Sequence, residues 1–166
     1  MKTAGILVAV ALAAIATTAH AGCDTLPGPV SAYARAHPGW AVVRVADLVS
    51  DDQALWAQYH KGLCPGWAKA KLDAARRPFY AVALISRTQE KLMLIDGAGG
   101  VSELVPANRL TTPMVVWTVL PGVYRDENTG RDVHISTQSI TYEKMEAVAT
   151  QFYLKHGKIR SLLAAQ

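Results

Sequence analysis

Phe79-Tyr80-Ala81-Val82-Ala83-Leu84-Ile85 is a seven-residue run without a charged side chain, bounded by Pro78 on one side and by the polar Arg87-Thr88-Gln89-Glu90 on the other. A strand that is apolar at odd and even positions alike is covered on both faces, so the run reads as the central strand of a sheet. The chain around it agrees. From Cys64 onward the apolar period is two, and turn signals recur at intervals of about eight to twelve residues, the pattern of successive antiparallel strands. The strands read as 67–72, 79–86, 91–95, 101–105 and 114–120, with turns at 74–77, 87–90, 97–100 and 107–112. Beyond Pro121-Gly122, a polar loop over 125–131 leads into a strand at 132–135.

Before the central strand the period changes. A short helix is expected over 31–36, after Pro27 and Pro29 and ending at His37-Pro38-Gly39, because proline and glycine stop helices. A strand at 40–45 follows. Ser50-Asp51-Asp52-Gln53 reads as a capping box with acids in the first turn, predicting a helix over 51–61. Leu55, Trp56 and Tyr59 share its apolar face, Gly62 suits its C-terminal cap, and Trp56 is expected to cover one face of the central strand. At the other end, 142–154 fits a helix or a strand, and His156-Gly157 between two β-compatible runs, 150–155 and 158–163, favours a hairpin. The fold expected is α+β, an antiparallel meander of six to eight strands with one or two short N-terminal helices.

Residues 1–21 read as a secretory signal peptide: Lys2 supplies the charged start, residues 6–15 the apolar run and Ala19-His20-Ala21 the cleavage site. The apolar run is too short to serve as a membrane span. What remains, residues 22–166, has the length of a single domain, in the periplasm or outside the cell. It carries 16 Lys and Arg against 13 Asp and Glu, scattered except between Lys69 and Arg77. A nucleic-acid binder would concentrate more positive charge on one element, so a nucleic-acid partner is not expected. Cys23 and Cys64, an even count in an oxidising compartment, read first as one disulfide. The rival reading takes Cys23 as the lipidated residue of a lipoprotein signal and leaves Cys64 a lone thiol, although His20 stands where such signals want an aliphatic residue.

The stretch 70–81, Ala-Lys-Leu-Asp-Ala-Ala-Arg-Arg-Pro-Phe-Tyr-Ala, resembles the strand, acidic loop, strand unit of FG-GAP and VCBS-type secreted proteins. Asp73, Arg77, Pro78, Tyr80 and Ala81 sit where that pattern expects them. The resemblance implies a calcium loop, but Lys71, Ala75 and Phe79 occupy acid positions and Arg76 the turn glycine. Calcium needs six to eight oxygens, so no metal is expected here. Lys69, Lys71, Arg76 and Arg77, flanked by Trp67, Phe79 and Tyr80, read instead as a basic and aromatic contact surface for a protein with an acidic face. The C-terminal piece, 140–159, is similar to the closing hairpin of small periplasmic proteins that include inhibitors and immunity proteins.

Catalytic patterns are missing. No serine lies in a nucleophile elbow, and His37, His60, His134 and His156 stand singly without zinc spacing. Cys64 with His60 is the nearest approach to a nucleophile and base, but the thiol has a bridging partner. Asp96-Gly97-Ala98-Gly99-Gly100 lacks phosphate-loop spacing and reads as a turn. Glu143 and Glu146 would make an acid and base pair only if both faced a cleft, and their neighbours read as an ordinary strand edge. No cofactor is expected. The function expected is non-catalytic binding in the periplasm, in the form of an inhibitor or immunity protein against an envelope-targeting toxin or hydrolase. The alternatives are a small envelope hydrolase and a cell-wall-associated structural protein.

Overall fold

The computed structural model describes residues 21–75 and 77–164. The leader expected over 1–21, apart from Ala21, and Arg76 lie outside the described residues.

The chain is mostly antiparallel β-sheet. A one-turn helix α1 (Ala21–Asp24) and α2 (Gly28–Ala36) precede β1 (Ala41–Val42), a 3-10 turn (Val45–Asp47) and α3 (Ser50–Tyr59). Then come β2 (Trp67–Ala70), β3 (Phe79–Ile85), β4 (Gln89–Asp96), β5 (Val101–Arg109), β6 (Val115–Val119), β7 (Gly122–Asp126) and β8 (Arg131–Ile135). The last three strands are β9 (Ser139–Lys144), β10 (Val148–Lys155) and β11 (Lys158–Ala164). Among the described residues, eleven strands replace the expected six to eight, and they form two sheets and a ribbon instead of one meander. The first sheet runs β1-β3-β4-β5, with β2 also on β3, the second runs β11-β10-β9-β6, and β7 pairs with β8 alone.

β3 is the interior strand that its composition predicts, but a different helix covers it. Val82 and Leu84 point to a small core with Val30 of α2, Met93 and Ile95. Ala81 and Ala83 point the other way, into the main core between the sheets, with Ala68, Ala70, Leu92, Leu94, Ile140, Tyr142 and Phe152. The alanines are small enough for the two sheets to approach closely. The helix laid on β3 and β4 is therefore α2, while Trp56 of α3 joins the main core on the face of Ala81 and Ala83. Pro29 starts α2 rather than delaying it, since a first-turn proline lacks only an N–H that the helix would leave unused.

Other expectations are corrected by backbone hydrogen bonding. The strand expected over 40–45 shrinks to two residues because the Asp47 carboxylate accepts the Arg44 N–H at 2.7 Å and turns the chain. The capping box at Ser50 does not form: Val49 is the N-cap, without a side-chain bond, and Gln53 donates to the Leu48 carbonyl at 2.8 Å. His60, not Gly62, is the C-cap of α3, and Gly62 follows with φ +79° to turn the chain away. The turn read at 87–90 is tighter, and Gln89 and Glu90 belong to β4. β5 runs past Pro106 because it is an edge strand, where a missing N–H costs no ladder bond. At 156–157 the hairpin reading holds: His156 and Gly157 have φ of +51° and +72° between paired Lys155 and Lys158, a two-residue primed turn.

Cys23 and Cys64 form a disulfide with their Cα atoms 4.9 Å apart. This is the pairing that the even cysteine count predicts. Among the described residues, no helix is long and apolar enough to cross a membrane.

Candidate functional site

Sheet register sorts the side chains of the second sheet onto two faces, since directly paired residues share a face. Val116, Ile140, Tyr142 and Phe152 point to the main core. Trp117, Thr141, Glu143, Ala149 and Gln151 lie on the opposite face, which carries a cavity of about 460 Å³. Leu55 and Tyr59 of α3, with His60 at its end, wall the cavity on one side, and Tyr124 of β7 and Ala164 of β11 lie on its margin. Met145 and Glu146, from the β9–β10 turn, complete the rim.

The floor of this cavity is polar and fixed. Thr141, Glu143 and Gln151 are each at most 4 % exposed. The Gln151 amide Nε2 donates to the Ser139 hydroxyl at 2.7 Å, which locks the side chain in place. The wall is aromatic. His60 stacks on Trp56 at 4.2 Å between ring centroids and lies 4.7 Å from Trp117, while Trp56 meets Trp117 edge-on at 6.3 Å. Burial holds the His60 pKa below its ordinary value, so the ring is neutral near pH 7. Glu146 occupies the left-handed region with φ +56°, a conformation that costs a non-glycine residue about 1 kcal/mol or more.

The contact surface expected from the sequence is divided by the pleat of β2 and β3. Trp67 and Lys69 pair with Val82 and Tyr80 on one face, whereas Phe79 pairs with Ala70 on the other and packs against the main core. Lys69, Lys71 and Arg77 are exposed, and Trp67 and Tyr80 are half-buried. Asp73, where the resemblance places a calcium ligand, accepts from Arg77 through both the backbone N–H at 3.1 Å and Nε at 3.0 Å. The loop is further tied down where Gln138 Oε1 accepts the Lys71 N–H at 2.7 Å. Beside β2 lies a second hollow of about 350 Å³, walled by Leu63, Trp67, Lys69, Trp117 and Thr118. The Thr118 hydroxyl donates to the Lys69 carbonyl at 2.9 Å, joining β6 to β2 there.

Trp117 thus lines both hollows, and the sequence reading did not single it out. Glu143 and Glu146, read as part of a strand edge, both line the larger cavity. Ser139, Thr141 and Glu143 alternate so that three polar groups share one face of β9, a pattern that in the sequence alone reads equally as a solvated edge. The Asp96–Gly100 stretch is a turn closed on itself, with Asp96 Oδ1 accepting the N–H groups of Ala98 and Gly100 at 2.9 and 2.8 Å. Among the described residues, no group of three or more His, Cys, Asp or Glu side chains is placed to hold a metal ion. No protein-family model, curated protein or solved structure matches the chain.

Proposed function

We propose that the mature chain is a periplasmic or secreted binding protein that acts by recognising another protein with an acidic surface, without catalysis, as an inhibitor or immunity-type protein of the envelope. The observation that carries this reading is the hollow between β2 and β6. There the half-buried Trp67 and the 52 % exposed Leu63 adjoin Lys69, and Lys71 and Arg77 extend the positive charge along the next turn. Aromatic anchors beside cations are the composition of protein interfaces, and rim cations steer an acidic partner. Arg77 is presented there with its side chain held by Asp73.

The test is capture from a periplasmic extract with the immobilised mature protein. Wild type is expected to retain an acidic partner, and Lys69→Glu with Lys71→Glu is expected to weaken retention about tenfold or more, with unchanged circular dichroism. Undiminished capture by the double variant would remove this surface from consideration.

A second reading, a small envelope hydrolase, is favoured by one observation: two carboxyl groups, Glu143 and Glu146, line the same cavity. Clearing of peptidoglycan in a zymogram by the wild type and not by Glu143→Gln would establish it in place of the first.

A further inference from the structure

We propose that the tip of the β10–β11 hairpin is a docking surface for an anionic membrane, where it holds the phosphate groups of lipid headgroups. The surface lies outside the hollow beside β2 and does not depend on the protein partner proposed for it.

The hairpin collects positive charge and nothing to balance it. Residues 22–166 carry an excess of three cations over acids, and Lys155, Lys158 and Arg160 supply three cations within six residues. The chain has no Asp or Glu after Glu146. Lys155 pairs directly with Lys158 and Tyr153 with Arg160, so the four side chains share one face. With His156 they line a hollow of about 460 Å³ that no acid lines. Among the described residues, none of the three cations is in an ion pair. Two lysines directly opposed across a ladder repel each other, and an acid at either position would stabilise the hairpin instead. Such a pair is relieved by an anion from outside.

The neighbourhood selects the anion. Lys155, His156, Lys158 and Arg160 are exposed, whereas Tyr153, the aromatic residue of the hollow, is 8 % exposed. A nucleic acid would use open rings for base stacking, and a protein partner would use an aromatic anchor in a pocket; the tip offers neither. A fluid array of phosphates needs no fixed shape, only cationic side chains long enough to reach it. Apolar side chains stand at the same end of the sheet. Val119 pairs with Ser139 where β6 ends and β9 begins, and Phe152 pairs with Ile140, so Leu120 and the hairpin tip leave the sheet together. Leu120 is 69 % exposed, and Val123, just beyond it, 63 %. Basic residues beside exposed aliphatic side chains combine charge attraction with insertion into the headgroup region.

Co-sedimentation of the mature protein with vesicles of phosphatidylglycerol and phosphatidylcholine in equal parts, against phosphatidylcholine alone, tests the assignment. Wild type is expected to sediment with the anionic vesicles, less as salt rises, and not with the neutral ones. Lys158→Glu places an opposite charge across from Lys155, so the melting temperature should hold or rise while vesicle affinity falls about tenfold or more. Should that variant fold poorly, Lys155→Gln with Lys158→Gln carries the same expected loss. Arg87→Glu, the same change of net charge in the exposed turn between β3 and β4, should leave affinity within about twofold of wild type. Equal sedimentation with neutral vesicles, or equal losses in the Arg87 and Lys158 variants, would overturn the proposal. So would tighter binding to duplex DNA than to the anionic vesicles, or no sedimentation at low salt.

Discussion

His60 lies between two indole rings at the end of α3, and its burial makes the protonated ring costly. A histidine whose folded pKa is depressed takes up its proton more readily in the unfolded chain. Its contribution to stability is therefore lost as pH falls below the ordinary 6.5. Asp52 and Glu90 act in the opposite sense. Burial raises both, so the native state holds their protons more tightly, and stability is gained as pH falls toward their folded values. His60→Phe keeps a flat ring in the stack and removes only the first effect. In thermal melts, the drop in melting temperature from about pH 7 to pH 5.5 is expected to be smaller in His60→Phe than in wild type. Equal drops would show that the histidine titrates freely.

At the scale of elements, α3 is held by one residue more than by its amphipathic pattern. Trp56 is fully buried, donates from Nε1 to the Leu63 carbonyl at 3.0 Å and touches both His60 and Trp117. Leu55 and Tyr59, read from the sequence as partners in the same buried face, are half-buried and 67 % exposed, respectively, and line the cavity. Trp56→Ala is expected to cost about 3 to 5 kcal/mol in urea unfolding, as large aromatic truncations in cores do. Trp56→Phe, which loses mainly the hydrogen bond, should cost nearer 1 kcal/mol. The hairpin at 155–158 was legible because a primed turn needs positive φ at both central residues, and His156-Gly157 supplies it. The strand Ser139–Lys144 was not legible: its polar residues face a cavity, and polarity inside a strand reads as an edge until the opposite wall is known.

For the molecule as a whole, the disulfide ties the start of the described chain to the loop after α3, across 41 residues of sequence. In the chain-entropy account such a closure is worth about 4 kcal/mol, so Cys23→Ser with Cys64→Ser should lower stability by up to that amount. A reductant should lower the melting temperature of wild type and leave the double variant unmoved. The two sheets meet through alanines on β2 and β3, and Gly66 makes a related close approach, since a Cβ there would meet Val43 O and Val42 Cγ1. Trp117 of β6, which meets Trp56 and His60, lines both hollows.

By itself the sequence determined that the chain is rich in antiparallel strands, that Phe79–Ile85 is interior, and that the cysteines are an obvious pair. These follow from local periodicity, turn chemistry and residue count, which neighbours along the chain express without help. Tertiary structure alone decided which helix covers the central strand, how the strands divide between sheets, and that Glu143, Glu146, Trp117 and Tyr59 line one cavity. Those outcomes depend on which face of each strand is opposed by another element. A period of two marks two faces, but long-range packing settles what each face meets.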